Sequence, residues 1–315
     1  SFVRFYKAGS DAVVFQTEVF KPNTTKTLTY KTAVAKEKKA SVYTKEEVDK
    51  SKFYTFLWGD RYRKQFGTQV NAPTVLLDTL FGGVSPVRKG GGNQSKSLRL
   101  EDKKGRQYVM RALKKQAPQY LQAIMFKDQY IGNKLDDDFV SNLVKDVFTG
   151  AHPYAPFVIG DLADAIGVFH TNPVLYYVPK QYVLGEFNTH FGDELYMIEE
   201  HTSEGHSDKA SFGFSDVLLS TDDMMKKIHK DEDIIVDEAA YIKARLFDML
   251  IGDWDRHQDQ WRWIEFKENG KKVYRPMPRD RDQAFSKMSD GFLLTAAVAL
   301  IPTAGLLRKY DGTLI

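Results

Sequence analysis

The order in which two hydrophobic periods occur is what most constrains this chain. Period-two alternation dominates up to about residue 200, and helical periodicity takes over beyond it. Residues 1–35 alternate apolar and polar (Val3, Phe5; Val13, Phe15), with turn residues at Gly9-Ser10 and Pro22-Asn23. They read as short strands, or as the trailing edge of a preceding domain. The charged run in 36–60 has no sustained apolar face and suits a linker or peripheral helix. Strands are predicted at 84–89, 96–100 and 107–113, with Gly90-Gly91-Gly92 as a flexible turn and EDKKG as a hairpin turn. Helices are predicted at 136–148, with Phe139, Leu143 and Val147 on one face, and at 160–166; β-rich runs follow at 174–178 and 195–199. After a polar loop at 201–216, Thr221 can cap a helix through His229, and Asp237 can cap 238–251, where Ala239, Ile242, Leu246 and Met249 share a face. Strands first and helices after give an α+β fold. The expected division is 1–60 as strands and linker, 61–200 as a strand-rich N-lobe, and 201–315 as a mainly helical C-lobe.

Composition narrows the chemistry. The chain has no cysteine, which removes cysteine nucleophiles, zinc fingers and disulfides together. Its 45 basic and 42 acidic residues nearly balance, and the basic ones are scattered among acids, so nucleic acid is not an expected partner. The apolar stretch 291–307 is shorter than the roughly 20 residues of a spanning helix and contains Pro302. A buried C-terminal helix with a proline break is expected there, and no transmembrane helix in this fragment. The chain opens without methionine or a signal-like segment and reads as a piece of something longer.

The chemically informative part is IGDWDRHQDQWRW at 251–263, followed by a predicted hairpin and then PMPRDRDQAF at 276–285. Two acid clusters thus flank one hairpin, Asp280 standing 25 residues after Asp255. Phosphoryl transfer needs one carboxylate for the nucleophile's proton and others for a metal on the phosphates. In the protein-kinase plan the catalytic aspartate is followed five residues on by a metal-binding amide, and the metal-binding aspartate comes one hairpin later. Asp255 and Gln260 have that spacing, Asp280 or Asp282 sits where the second acid belongs, and Arg256 and His257 would orient the loop. A solvated acidic turn and a zinc site at His257 with Asp255, Asp259 and Asp282 are the competing readings; no second histidine is spaced for the latter.

The upstream half offers complements. Gly90, Gly91, Gly92 and Ser95 lie between two strands, where backbone N–H groups can cradle phosphates. Arg111 occupies the third strand where a kinase carries its phosphate-binding lysine, with Lys114 as its rival. Asp146, on the helix after that strand, is the candidate partner of that cation, and the strand bearing Glu199 suits a connector whose backbone would receive adenine.

GDWDRHQDQ resembles the catalytic loop of atypical kinases of the HipA, CotH and secretory-pathway Fam types, and PRDRDQAF resembles the metal-binding motif of CotH-like proteins. A longer pattern comprises RKGGGNQSKSLRL, YVMRALKK, GAHPYAP, LADAIGV, LYMIEE, ARLFDMLIGDWDRHQDQWRW and PRDRDQAF. It is similar to a bacterial family in which this module lies between an exported calcineurin-like metallophosphoesterase domain and an outer-membrane β-barrel region. The resemblance covers roughly 84–290. It implies a two-lobed protein-kinase-like fold, ATP with Mg²⁺ or Mn²⁺ as cofactors, a protein or small-molecule acceptor, and a place in the cell envelope (periplasm or outer membrane). By the same resemblance Asp255 is the base, Gln260 with Asp280 or Asp282 holds the metal, and Arg111 meets the nucleotide phosphates. Gln260 stands for the usual Asn, Arg111 for the usual Lys, and the glycine turn lacks G-x-G-x-x-G order. These departures keep open a catalytically weak or inactive nucleotide-sensing scaffold and an AMPylating enzyme; a metal-dependent phosphoester hydrolase using the same acids without a nucleotide pocket is a separate alternative.

Overall fold

A computed structural model describes residues 2–6, 13–18, 30, 34–91, 94–118 and 139–301. The chain is a mixed α+β protein. Strands β1 (Phe2–Tyr6) and β2 (Val13–Glu18) form an antiparallel pair of their own.

A five-stranded antiparallel sheet runs in the order β5 (Val84–Lys89), β6 (Ser95–Asp102), β7 (Gln107–Lys115), β9 (Glu194–Glu200), β8 (Val174–Val178). The β6–β7 turn is built around Asp102, whose carboxylate accepts the Lys104 and Arg106 amides while Gly105 takes a positive φ of 79°. Side-chain alternation sorts the sheet into two faces. Leu98, Leu100, Tyr108, Met110, Ala112, Tyr196 and Ile198 point into one core, sealed by Leu77, Leu80, Leu184 and Phe191. The opposite face carries Arg99, Arg111, Met197 and Glu199.

That second face is partly covered by residues 40–72. Strands β3 (Glu37–Ala40) and β4 (Val70–Pro73) pair antiparallel, and α1 (Lys45–Val48), α2 (Lys52–Trp58) and α3 (Arg63–Gly67) lie between them. The charged run expected to be a linker or peripheral helix leads straight into this packing. Val42 and Tyr43 are buried with Tyr62 and Phe66 against Leu113, Leu195 and Met197 of the large sheet.

Helix α4 (Phe139–Phe148) follows β7, and α5 (Pro156–Ile166) opens with proline at its first turn and ends on Gly167 in the left-handed region. A second sheet has the order β10 (Leu218–Ser220), β12 (Trp261–Glu268), β13 (Lys271–Pro278), β11 (Ile234–Val236), with β11 parallel to β13. The β12–β13 hairpin turns on Asn269-Gly270, both at positive φ, the backbone a two-residue hairpin loop demands. Ala155, Ile159, Ala163 and Val168 join Trp261, Trp263 and Tyr274 in this sheet's core.

Helix α6 (Thr221–Ile228) is capped by Ser220, whose hydroxyl accepts the Asp223 amide, rather than by Thr221. The Thr221 hydroxyl instead donates to the Gln258 carbonyl. Helix α7 (Glu238–Leu250) is capped by Asp237 as expected. Its Ile242, Leu246 and Met249 share a face, but that face is 56–65% exposed; the buried stripe is Ala244, Phe247 and Asp248. Helix α8 (Phe292–Leu300) buries none of its residues, against the expectation of a buried helix, because its contact is one-sided: Phe292 stacks on Phe56 of α2. Pro302 lies outside the described residues. Where α2 ends, Gly59 and Gly291 lie back to back, and a Cβ on Gly291 would collide with the Gly59 nitrogen. Among the described residues, no helix is long and apolar enough to cross a membrane.

Candidate functional site

The β12–β13 hairpin brings the two acid clusters together. Trp261 pairs with Pro278, so the residues just outside the ladder, Gln260 and Arg279–Asp280, become neighbours; the Arg279 amide donates to the Gln260 carbonyl at 3.0 Å. Residues 252–260 form one loop, closed by a short 3-10 turn at Gln258–Gln260, and 279–291 form the other.

Asp248, in the last turn of α7 and fully buried, ties both loops to the helix. It accepts Arg256 (3.0 and 3.2 Å), Arg281 (3.1 Å) and Arg245 (3.1 Å). Arg256 also reaches Asp253 at 2.7 Å and the Arg279 carbonyl at 2.6 Å, and lies over the Trp261 ring. The expected catalytic residue Arg256 is thus a buried brace. His257 faces solvent at the start of the 3-10 turn. Asp255 is half-buried and makes no hydrogen bond or ion pair to any described residue. Burial raises its carboxyl above the ordinary range, and the nearby charge of Asp282 and Asp280 adds to this.

Asp280 sits at φ 61°, a left-handed conformation uncommon for a side-chain-bearing residue. Arg111 reaches across from β7 to pair with it at 2.6 Å and holds its carboxyl down at about 2. Arg111 also approaches Glu199 at 3.9 Å; burial raises the Glu199 carboxyl, and Thr171 donates to it at 2.6 Å. Asp282 pairs with Lys115 at 2.8 Å. Arg111, Glu199, Asp280 and Asp282 line a cavity open to solvent between β7, β9, α5 and the second loop. An adjoining cavity, also open to solvent, is lined by Ser95, Arg111, Lys115 and Asp282. The Ser95 hydroxyl is buried there without a partner.

Two expected site members lie elsewhere. Asp146 does not meet Arg111: its carboxylate receives Arg63 in a fork at 2.6 and 2.7 Å and the Tyr54 hydroxyl at 3.1 Å. The helix turns this acid toward α3, away from the cavity. Lys114 also turns away, pairing with Glu47 at 2.9 Å and lying over Tyr43. Lys115, two alternations beyond Arg111 and across a register shift in the β6–β7 pair, is the lysine that reaches the cavity. Gly91 faces open space, so only Gly90, pressed against Ser97, has a steric reason to be glycine; Gly92 lies outside the described residues.

A divalent cation would need oxygen donors. Gln260 is buried with its Oε1 lacking a partner, as is Asp253 Oδ1, so the first loop carries two unsatisfied oxygens of the right kind. Among the described residues, however, no three His, Asp or Glu side chains converge as a metal site. Asp280 and Asp282 are each engaged by a cationic side chain instead. No protein-family model, curated protein or solved structure matches the chain.

Proposed function

We propose that the chain is an ATP- and divalent-metal-dependent phosphotransferase on a two-lobed, protein-kinase-like fold, acting on a hydroxyl of a protein or small-molecule acceptor in the cell envelope. One observation carries this reading. A hairpin sets the loop of Asp255 and Gln260 beside the loop of Asp280 and Asp282, under a sheet whose Arg111 and Lys115 reach those acids. The strand order, with α4 inserted between β7 and β8, supports it. The envelope location rests on the sequence resemblance alone.

In this reading Asp255 takes the proton of the acceptor hydroxyl as its oxygen bonds to the γ-phosphorus and the bond to the ADP oxygen breaks. A carboxylate with its basicity raised by burial and like charge, and with no partner to release among the described residues, suits that role. Arg111 and Lys115 would turn from Asp280 and Asp282 to the phosphates, helped by Ser95 and the Gly90 turn, and the strand at Glu199 would meet the base. Gln260, Asp280 and Asp282 would hold the metal, which supplies charge neutralisation at the phosphates. Arg256 is a positioning residue.

The second reading is a weak or inactive nucleotide-sensing scaffold. The pairing of both loop acids with cations, in place of three converging carboxylates, favours it. Thermal unfolding with Mn²⁺ and ATP, together with release or transfer of the γ-phosphate, separates the two. Wild type is expected to show a metal-dependent ATP shift that Asp282→Ala loses, and Asp255→Asn to keep the shift while losing phosphate turnover. Binding without turnover in wild type selects the scaffold. A folded wild type that shifts with no nucleotide overturns both.

A further inference from the structure

Charge on the cavity-facing side of the large sheet is unbalanced in one place. Arg88 and Arg99 face each other directly in the β5–β6 register, so their side chains leave the same face. Like charges directly opposed on a sheet destabilise it unless something else lies between them. In the β6–β7 register Ser97 pairs with Arg111 and Arg99 with Val109, which makes Arg111 the diagonal neighbour of Arg99 on that face. Arg279, at the end of the hairpin, lines the cavity with Arg111. Arg111 is neutralised by Asp280 and Glu199. The side chains of Arg88, Arg99 and Arg279 make no hydrogen bond or ion pair to any described residue, and the Arg99 Nη1 is buried without an acceptor. Burial, with the positive charges of Arg88, Arg279 and Arg111, pushes the Arg99 guanidinium down to about 10. Arg99 and Arg279 are half-buried and Arg88 is exposed; a half-buried guanidinium with cationic neighbours and no acceptor among the described residues lacks a counter-charge.

We propose that Arg88, Arg99 and Arg279 form an anion subsite at the edge of the cavity that takes a phosphate-bearing ligand in the forks of Arg99 and Arg279. Guanidinium groups match phosphate oxygens two at a time and stay charged at any working pH. A phosphate between Arg88 and Arg99 turns a repulsive cross-strand pair into a clamp. The subsite stands whether or not phosphate is transferred. The phosphate has two sources, the chain of the nucleotide itself or a second, phosphorylated ligand.

The test is calorimetric binding of tripolyphosphate to the full chain at low ionic strength without metal, comparing wild type, Arg99→Gln/Arg279→Gln and Lys114→Gln. Lys114 is a control of equal charge type, held by Glu47 outside the cavity. The double variant is expected to weaken binding by about tenfold or more, and Lys114→Gln to bind as wild type. The double variant should also unfold at the same or a higher temperature, since it relieves repulsion; this keeps a folding failure from imitating the result. Absence of tripolyphosphate binding to wild type overturns the subsite, and so does equal weakening in Lys114→Gln. With ATP and Mn²⁺ saturating, displaced tripolyphosphate assigns the subsite to the nucleotide's phosphates, and retained binding assigns it to a second ligand. Because Asp255→Asn leaves these arginines intact, it should bind tripolyphosphate as wild type even where it abolishes turnover.

Discussion

Replacing Asp248 with alanine would remove the carboxylate to which both loops are tied. Three arginines contact it, but they would not suffer equally. Arg245 is 36% exposed and can turn to water. Arg256 keeps Asp253 and the Arg279 carbonyl. Arg281, at 4% exposure, has its Nη1 and Nη2 already without partners, so losing its only side-chain hydrogen bond among the described residues strands a whole buried guanidinium. The magnitude is therefore that of one broken buried pair, roughly 3–5 kcal/mol, not three times that. For a chain of this size roughly 2 °C accompanies each kcal/mol, so the unfolding midpoint should fall by roughly 6–10 °C. Differential scanning calorimetry reads the midpoint, and near-ultraviolet circular dichroism reads Trp254 and Trp261 beside the loops. A fall of less than about 2 °C with an unchanged spectrum would refute the claim that Asp248 organises them.

Other perturbations follow from the same geometry. Burial outweighs the Arg256 charge and raises the Asp253 carboxyl to about 8. The folded state therefore holds this proton more tightly than the unfolded chain, whose ordinary value is about 3.9. Its contribution is complete below that value and is lost as pH rises toward about 8, so the urea midpoint should decline across that window and decline less in Asp253→Asn. Lys115→Ala should weaken ATP binding and Lys114→Ala should not, as isothermal titration would show; the reverse outcome would mean the lysine reaching the cavity is misassigned. Gly59→Ala would drive a Cβ into the Asp290 carbonyl at a backbone φ of 83°. A loss of at least about 1–3 kcal/mol in urea unfolding is expected, and a neutral result would contradict the close approach.

The hairpin was legible in the sequence because its signals are local: acids at fixed spacing on either side of a strand-like run. Asp237 as a cap was legible for the same reason. The pairing of Asp146 was not, since its partner Arg63 lies 83 residues upstream in a five-residue helix with no sequence signature. Lys115, two alternations beyond Arg111, was lost to its neighbour. The face of α7 shows a different limit. Periodicity places Ile242, Leu246 and Met249 together, but whether a stripe is covered depends on what packs on it, and Phe247 won that contact. The buried Arg256 was visible as a charge, whereas its role as a brace depends on Asp248 being beneath it.

The contact between Gly59 and Gly291 bears on how such a chain can vary. Each glycine occupies a backbone region closed to other residues, and each fills the space a side chain on the other would need. No single substitution at either position is sterically free, and changing one does not make room for the other. Glycine fixed at both positions across relatives would therefore record a steric ratchet joining the exit of the acid loop to α2. Such columns should be set aside when invariant positions are used to search for chemistry.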